Sequence, residues 1–142
     1  MIKLLIPGPP CAKQRPRVTR KGFAYTPTKT VAYEILVREL FIVQHPAFAP
    51  LTGPVTLRLW AYFPIPKGTS KRTRELMEGG FIRRDKRPDY DNISKAVSDA
   101  LNGLAYGDDG QITSASIEKL YSDRPRLEVE LEECHDDPGH GE

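Results

Sequence analysis

Apolar side chains recur at every second position along two stretches of the chain, a pattern typical of β-strands with one buried face. The alternation runs through residues 54–63 and again through residues 126–132, where glutamates occupy every second position. Shorter apolar stretches predict further strands at 2–6 and 111–121. In the two alternating strands, the positions predicted to face a core are Val55, Leu57, Leu59, Ala61, Phe63, Leu127, Val129 and Leu131.

Apolar residues at helical spacing predict two main helices. The stronger pattern follows Asp91 and ends at Asn102-Gly103, a pair that suits a helix C-terminus. The other helix is predicted to start at Thr28 or Thr30, either of which can cap it, and to end before Pro46. The residues predicted to be buried are Ile93, Ala96, Val97, Ala100, Leu101 and Leu104 in the first helix, and Ala32, Ile35, Leu36, Leu40 and Val43 in the second.

Two smaller features complete the predicted order of elements. Residues 13–25 suit a basic hairpin with a turn at Lys21-Gly22, and residues 70–78 suit a short helix. Strands and helices then mix without regular βαβ repetition, which predicts an α+β fold with a small mixed or antiparallel sheet flanked by two main helices. We expect one domain over 1–133 and a flexible acidic tail over 134–142.

Composition excludes several classes of protein. A chain of 142 residues with 39% hydrophobic and 28% charged residues suits a soluble domain. It contains no apolar run near the ~18 residues of a membrane span. The apolar stretch at its N-terminus is too short for a signal peptide. Cys11 and Cys134 make neither a disulfide framework nor a zinc site. We therefore expect a cytoplasmic protein without membrane association.

The net charge of +2 hides a strong asymmetry. Residues 1–87 carry a net +12 and residues 88–142 a net −10. This division favours a polyanionic partner such as DNA, although a solvated surface explains charge alone equally well. Cations in two clusters are candidates for phosphate contacts, and we assign to this role Lys13, Arg15, Arg17, Arg20, Lys71, Arg72, Arg83, Arg84, Lys86 and Arg87.

Three aromatic residues accompany the basic clusters. Phe23, Tyr25 and Phe81 could stack on bases at a distorted site in nucleic acid. Packing in the core is the favoured interpretation, because large aromatic side chains bury much apolar surface.

The sharpest candidate for chemistry is the pair Asp89 and Asp91. Pro88 favours an extended Asp89, and residues two apart in extended chain point the same way. Two carboxylates about 4 Å apart repel by about 1 kcal/mol in water, which a divalent cation such as Mg²⁺ would relieve. For an isolated pair of this kind, the commoner arrangement is Asp91 as a helix N-cap and Asp89 as its solvated neighbour.

Further polar residues extend the candidate site. Lys95 follows Asp91 by one helical turn, where it could hold a phosphate or simply pair with Asp91 or Asp99. Asp108 and Asp109 form a second pair soon after the helix, which a short loop could bring beside the first, or which could be a polar turn. Three carboxylates and a lysine are the minimum set for metal-assisted phosphodiester hydrolysis.

These motifs resemble a known family. The stretch DYDNISKAVSDALNG followed by YGDDGQI is similar to the RusA family of Holliday-junction resolvases, whose pattern is D-x-D-N-x-x-K followed by D-D-x-Q. The N-terminal PGPPCAKQRPRV…YTP is similar to the opening of that family. The resemblance implies a homodimeric endonuclease, often of phage or prophage origin, that uses Mg²⁺ or Mn²⁺ to make paired nicks in four-way DNA junctions during recombination and repair.

The resemblance also implies residue roles. Asp89 and Asp91 match the catalytic metal ligands, Lys95 matches the essential lysine, and Asn92 would orient the ligands. The segment after Lys95 is about one residue shorter than the family pattern, so that the third carboxylate is Asp109 or, as the second choice, Asp108. Two alternatives remain open: a catalytically silent junction-binding protein of the same fold, and a nuclease for other branched nucleic acids.

Overall fold

The computed structural model describes residues 1–13, 17–25 and 28–134, so Arg15 and the predicted tail beyond Cys134 lie outside the described residues. The elements confirm the α+β prediction. A 3₁₀ turn at Asp109–Gln111 leads directly into a strand that starts at Ile112. The strands and helices are β1 (Ile2–Pro7), β2 (Arg17–Val18), β3 (Ala24–Tyr25), α1 (Thr28–Gln44), β4 (Val55–Pro64), α2 (Lys71–Glu78), α3 (Tyr90–Leu101), β5 (Ile112–Ser122) and β6 (Arg126–Glu133).

Four strands form a mixed sheet in the order β1-β6-β4-β5. β4 pairs in parallel with β5, whereas β6 pairs antiparallel with both β4 and β1. Only three residues, 123–125, separate β5 from β6 along the chain, yet the two strands lie on opposite sides of β4. Two strand spacings amount to about 10 Å, a distance that three connecting residues can span across the end of β4.

The core lies between one face of this sheet and helices α1 and α3. The apolar positions predicted in β4 and β6 are all at most 3% exposed. Of the six positions predicted for the helix after Asp91, five are buried in α3, and Leu104 lies beyond its end and is half-buried. α1 lies over β1 and against α3, which in turn reaches β5. Among the described helices, none is long and apolar enough to span a bilayer.

The prediction for the buried face of α1 is wrong. The helix itself is confirmed, but its buried residues are Thr30, Tyr33, Val37 and Phe41. The predicted Ile35, Leu36 and Val43, by contrast, are exposed. Apolar side chains occur around the whole circumference of α1, so periodicity offered two competing faces and only packing on the sheet selected one.

The short strands β2 and β3 form the predicted antiparallel hairpin, whose turn contains Gly22 at φ 87°. The segment before the hairpin is attached to α3, because the Lys13 N–H donates to the Asn92 carbonyl at 2.9 Å. The basic hairpin is therefore anchored next to the start of α3.

Candidate active site

Asp89 and Asp91 stand at the start of α3 in different backbone environments. Asp89 is the N-cap residue, with φ −70° and ψ 148°, so the prediction of an extended Asp89 is confirmed. Asp91 lies inside the helix, so the prediction that both carboxylates point the same way from extended chain is wrong. The alternative prediction of Asp91 as the N-cap is also wrong, because Asp89 takes that position. The Asp89 side chain makes no capping bond, whereas Asp91 Oδ1 accepts the Asn92 N–H at 3.0 Å. Both carboxylates are exposed.

A cleft of about 580 Å³ lies between α3 and β5. Asp91 and Lys95, one helical turn apart, both line it, as the spacing requires. Sequence reasoning missed Ser94 and Ser98 on the same helix face, whose hydroxyls donate to the carbonyls of the preceding turn. The remaining lining residues are Leu57, Tyr90, Ile112, Ala115, Ser116 and Ile117.

Lys95 belongs to a group of alternating charges. Its Nζ lies 3.7 Å from Asp99 Oδ2, the helix salt bridge that the spacing allowed. The same Asp99 oxygen lies 3.3 Å from Lys13 Nζ, which also contacts Glu34 Oε1 at 2.6 Å. The hydrogen bond to Glu34 raises the pKa of Lys13, with Asp99 adding to the rise and burial opposing it. Lys13 therefore forms ion pairs with two carboxylates of the protein, in addition to its predicted role toward DNA.

The second aspartate pair divides into a bound and a free carboxylate. Asp108 caps the 3₁₀ turn, its Oδ2 accepting the Gly110 N–H at 2.9 Å, while the Asp108 N–H donates to Gln111 Oε1. The Gln111 amide donates to the carbonyls of Leu51 and Gly53, which fixes the turn to the chain before β4. Neither a hydrogen bond nor an ion pair joins the Asp109 carboxylate to any described residue.

The structure does not gather the four aspartates into one cluster. Among residues 1–13, 17–25 and 28–134, no three His, Cys, Asp or Glu side chains lie close enough together to hold a metal ion. Carboxylates without a cation repel one another, which opposes such a cluster. Their chemistry nevertheless fits Mg²⁺, which takes one or two carboxylates and keeps several waters.

Tyr106 connects the second aspartate pair to α3. This fully buried residue donates its hydroxyl to the Ser98 carbonyl at 2.7 Å. Burial raises the pKa of Tyr106 most, and the charges of Asp109, Asp99 and Asp108 raise it further. Tyr106 thus ties the chain just before the second pair to the second half of α3.

The comparison with known proteins agrees with this arrangement of motifs. Residues 7–132 match the family described as Endodeoxyribonuclease RusA. The chain belongs to the RusA family. It is also 39% identical over 137 residues to a Bacillus subtilis (strain 168) protein named Uncharacterized protein YqaN, covering 93% of this chain and 96% of that one. The resemblance seen in the motifs is therefore confirmed over residues 7–132, and it supports a nuclease.

In this RusA-family chain, the basic segment 83–87 before Asp89 contains two kinds of cation. Arg83 pairs with Glu118 at 2.9 Å, and Arg84 lies over the Phe63 ring while donating to the Arg87 carbonyl at 2.7 Å. Both arginines therefore hold the segment on the protein. The side chains of Lys86 and Arg87 are exposed, with no hydrogen bond or ion pair to the described residues.

The other predicted phosphate contacts are distributed over the hairpin and α2. Arg20 is exposed at the hairpin turn, and Lys71 and Arg72 are exposed in the first turn of α2. The side chain of Arg17 lies outside the described residues. The described cations are thus open to solvent on two separate elements.

The favoured interpretation of the aromatic residues as core is wrong. Phe23 is 68% exposed and Phe81 is 81% exposed, because both follow turns that lie off the sheet. The side chain of Tyr25 lies outside the described residues. Sequence reasoning missed Tyr90, which is 64% exposed, lines the cleft and stands between Asp89 and Asp91. Its position between two candidate ligands was the available signal.

Proposed function

We propose that this RusA-family protein is a Mg²⁺-dependent endonuclease that resolves four-way DNA junctions by paired nicks in recombination and repair. The observation that carries the proposal is the cleft in which Asp91 and Lys95 lie on one face at the start of α3. Family membership over residues 7–132 supports it. A cytoplasmic location, where the DNA is, agrees with this activity.

Asp89, Asp91 and Asp109 would hold the metal ion, whose charge would offset the repulsion that opposes their approach in its absence. The uncapped carboxylate of Asp89 and the unbonded carboxylate of Asp109 support this choice, and the capping bond of Asp108 makes it the second candidate. When bound, Mg²⁺ or Mn²⁺ lowers the pKa of a coordinated water and stabilises charge on the phosphate.

The residues around this site have separate tasks. Lys95 places an ammonium in the cleft, where it stabilises negative charge on the scissile phosphate. The backbone N–H of Asn92 holds the Asp91 carboxylate and so orients it. Tyr90 covers one side of the cleft with an aromatic ring.

The DNA arms would approach through the exposed cations. Lys86 and Arg87 lead directly into Asp89, and the hairpin turn and the first turn of α2 supply the others. The exposed rings of Phe23 and Phe81 suit stacking on bases at the branch point, since stacking tolerates any sequence. Arg83 and Arg84 would support this surface by holding its segment in place.

A homodimer would match the symmetry of the substrate. Two copies related by a two-fold axis place two clefts on opposite strands of a four-way junction, as paired nicks require. Sedimentation of the protein with and without junction DNA measures this assembly.

The test uses a labelled four-way junction and the variants Asp91→Asn and Asp109→Asn. Each variant should bind the junction in Ca²⁺ as the unaltered protein does, while cleavage in Mg²⁺ falls by at least about 100-fold, the scale of losing an electrostatic contact with the transition state. Asp123→Asn, an equal charge change in the exposed turn after β5, is the control. Cleavage by Asp91→Asn at the unaltered rate would refute the proposed role.

The dispersed carboxylates favour one second candidate, a catalytically silent junction-binding protein. Incubation with Mg²⁺, Mn²⁺ and other divalent ions separates the two, because binding without product in every ion supports only the silent protein. Competition among junction, flap, duplex and RNA shows whether other branched nucleic acids are the substrate.

A further inference from the structure

A line of alternating charges runs from α1 to the cleft. It consists of Glu34 on α1, Lys13 before the hairpin, and Asp99 and Lys95 on α3, joined at 2.6, 3.3 and 3.7 Å. The first three side chains are only 21–24% exposed, whereas Lys95 is 61% exposed and lines the cleft. Lys13 is also fixed by its backbone bond to the Asn92 carbonyl.

Asp99 therefore stands between two ammonium groups, of which Lys13 is the closer. A carboxylate with little solvent access attracts a nearby cation more strongly than an exposed one does, because solvent screens it less. If Lys13 were absent, Lys95 would be the cation left at Asp99 among the ion pairs of the described chain. Its i, i+4 position on the same helix allows a close pair.

We infer that Lys13 is a positioning residue, which occupies the Asp99 carboxylate and thereby leaves the Lys95 ammonium free to enter the cleft. Glu34 shares the Lys13 ammonium with Asp99 and lies closer to it, at 2.6 against 3.3 Å. The benefit for cleavage rests on the proposed function of Lys95 toward phosphate. The competition of two lysines for one carboxylate does not depend on that function.

The activity test compares Lys13→Met with the double variant Lys13→Met/Asp99→Asn. With protein in saturating excess over junction, we expect the single variant to lower the single-turnover cleavage rate about tenfold and the double variant to recover to within about threefold, since residues sharing one carboxylate couple strongly. Lys13→Arg should retain the rate, because it keeps the charge. Lys3→Met, at an exposed lysine of β1, is the control.

A merely stabilising role for Lys13 predicts the opposite order. The double variant would then be at least as slow as the single variant, because removing the second partner of a pair cannot restore a lost structural contact. That result would overturn the inference. Urea unfolding of each variant confirms that the rates compare folded proteins.

A second measurement needs no cleavage. Reductive methylation followed by mass spectrometry reports how accessible the Lys95 amine is in the free protein. We expect Lys95 to react about threefold more slowly in Lys13→Met and to recover in the double variant, since coupled charges respond to each other's removal. Equal reactivity in Lys13→Met and the unaltered protein would overturn the inference.

The two measurements also separate the inference from the proposed function. If the unaltered protein cuts no junction, the proposed function fails and the methylation result alone decides the role of Lys13. Should Lys13→Met not fold, Glu34→Gln replaces it, because it releases Lys13 toward Asp99. Lys95 reactivity should then equal or exceed that of the unaltered protein, and a lower reactivity would contradict the inference.

Discussion

Lys86 and Arg87 offer a separable test of the DNA surface. Their side chains are exposed and unpaired within the described chain, yet their backbone carbonyls accept hydrogen bonds from Lys119 and Arg84. Replacement of both by alanine removes two cations and retains these backbone bonds. We therefore expect the double variant to match the unaltered protein in free energy of unfolding to within about 0.5 kcal/mol.

The expected effect on binding follows from counterion release. Each phosphate contact contributes about 0.9 to the slope of log K against log salt concentration, so two contacts contribute about 1.8. Between about 50 and 200 mM salt, the affinity of the unaltered protein should fall about tenfold more than that of the Lys86→Ala/Arg87→Ala variant. Each single variant should lower the slope by about 0.9, half of the change expected for the double variant.

Fluorescence anisotropy with a labelled four-way junction in Ca²⁺ measures the slope without cleavage. Lys3→Ala, which removes one exposed cation from β1, is the control and should leave the slope unchanged. An unchanged slope in the double variant would refute the assignment of Lys86 and Arg87 to phosphate. Arg83→Ala/Arg84→Ala should differ by losing about 1 kcal/mol of stability, because it breaks the contacts with Glu118 and Phe63.

Three further predictions concern the support of α3 and are measured by urea unfolding. Tyr106→Phe should cost about 1 kcal/mol at neutral pH through the lost hydrogen bond to Ser98. Burial raises the pKa of Tyr106 above its ordinary 10.0, so that just above pH 10 this hydroxyl ionises in the unfolded chain but not in the folded protein. The free energy of unfolding therefore falls as the pH rises through this range, and it should fall less in Tyr106→Phe, which lacks the hydroxyl. Arg38→Ala should cost about 1 kcal/mol, since its guanidinium bonds carbonyls at the end of α3. Leu101→Ala should cost about 2–5 kcal/mol by leaving a cavity, and a smaller loss would mean that α3 relaxes into it.

The sequence by itself determined the features that depend on short-range periodicity and local backbone chemistry. The alternation in β4 and β6 predicted the buried face of each strand, and the spacing in α3 predicted its core side. It also placed Asp91 and Lys95 on one helix face, since residues four apart in a helix are neighbours. The motif carried by α3 and the D-D-x-Q turn was enough to indicate the RusA family.

Only the tertiary structure decided the features that depend on which segments meet. Periodicity could not choose the buried face of α1, because apolar side chains occur on every side of that helix and packing on the sheet made the choice. Nor could it show that β4 lies between β5 and β6, or that Arg84 rests on Phe63 while Arg87 is exposed. Lys13 meets Asp99 across 86 positions of sequence, a contact that no local pattern encodes because it forms only when the N-terminal segment docks on α3.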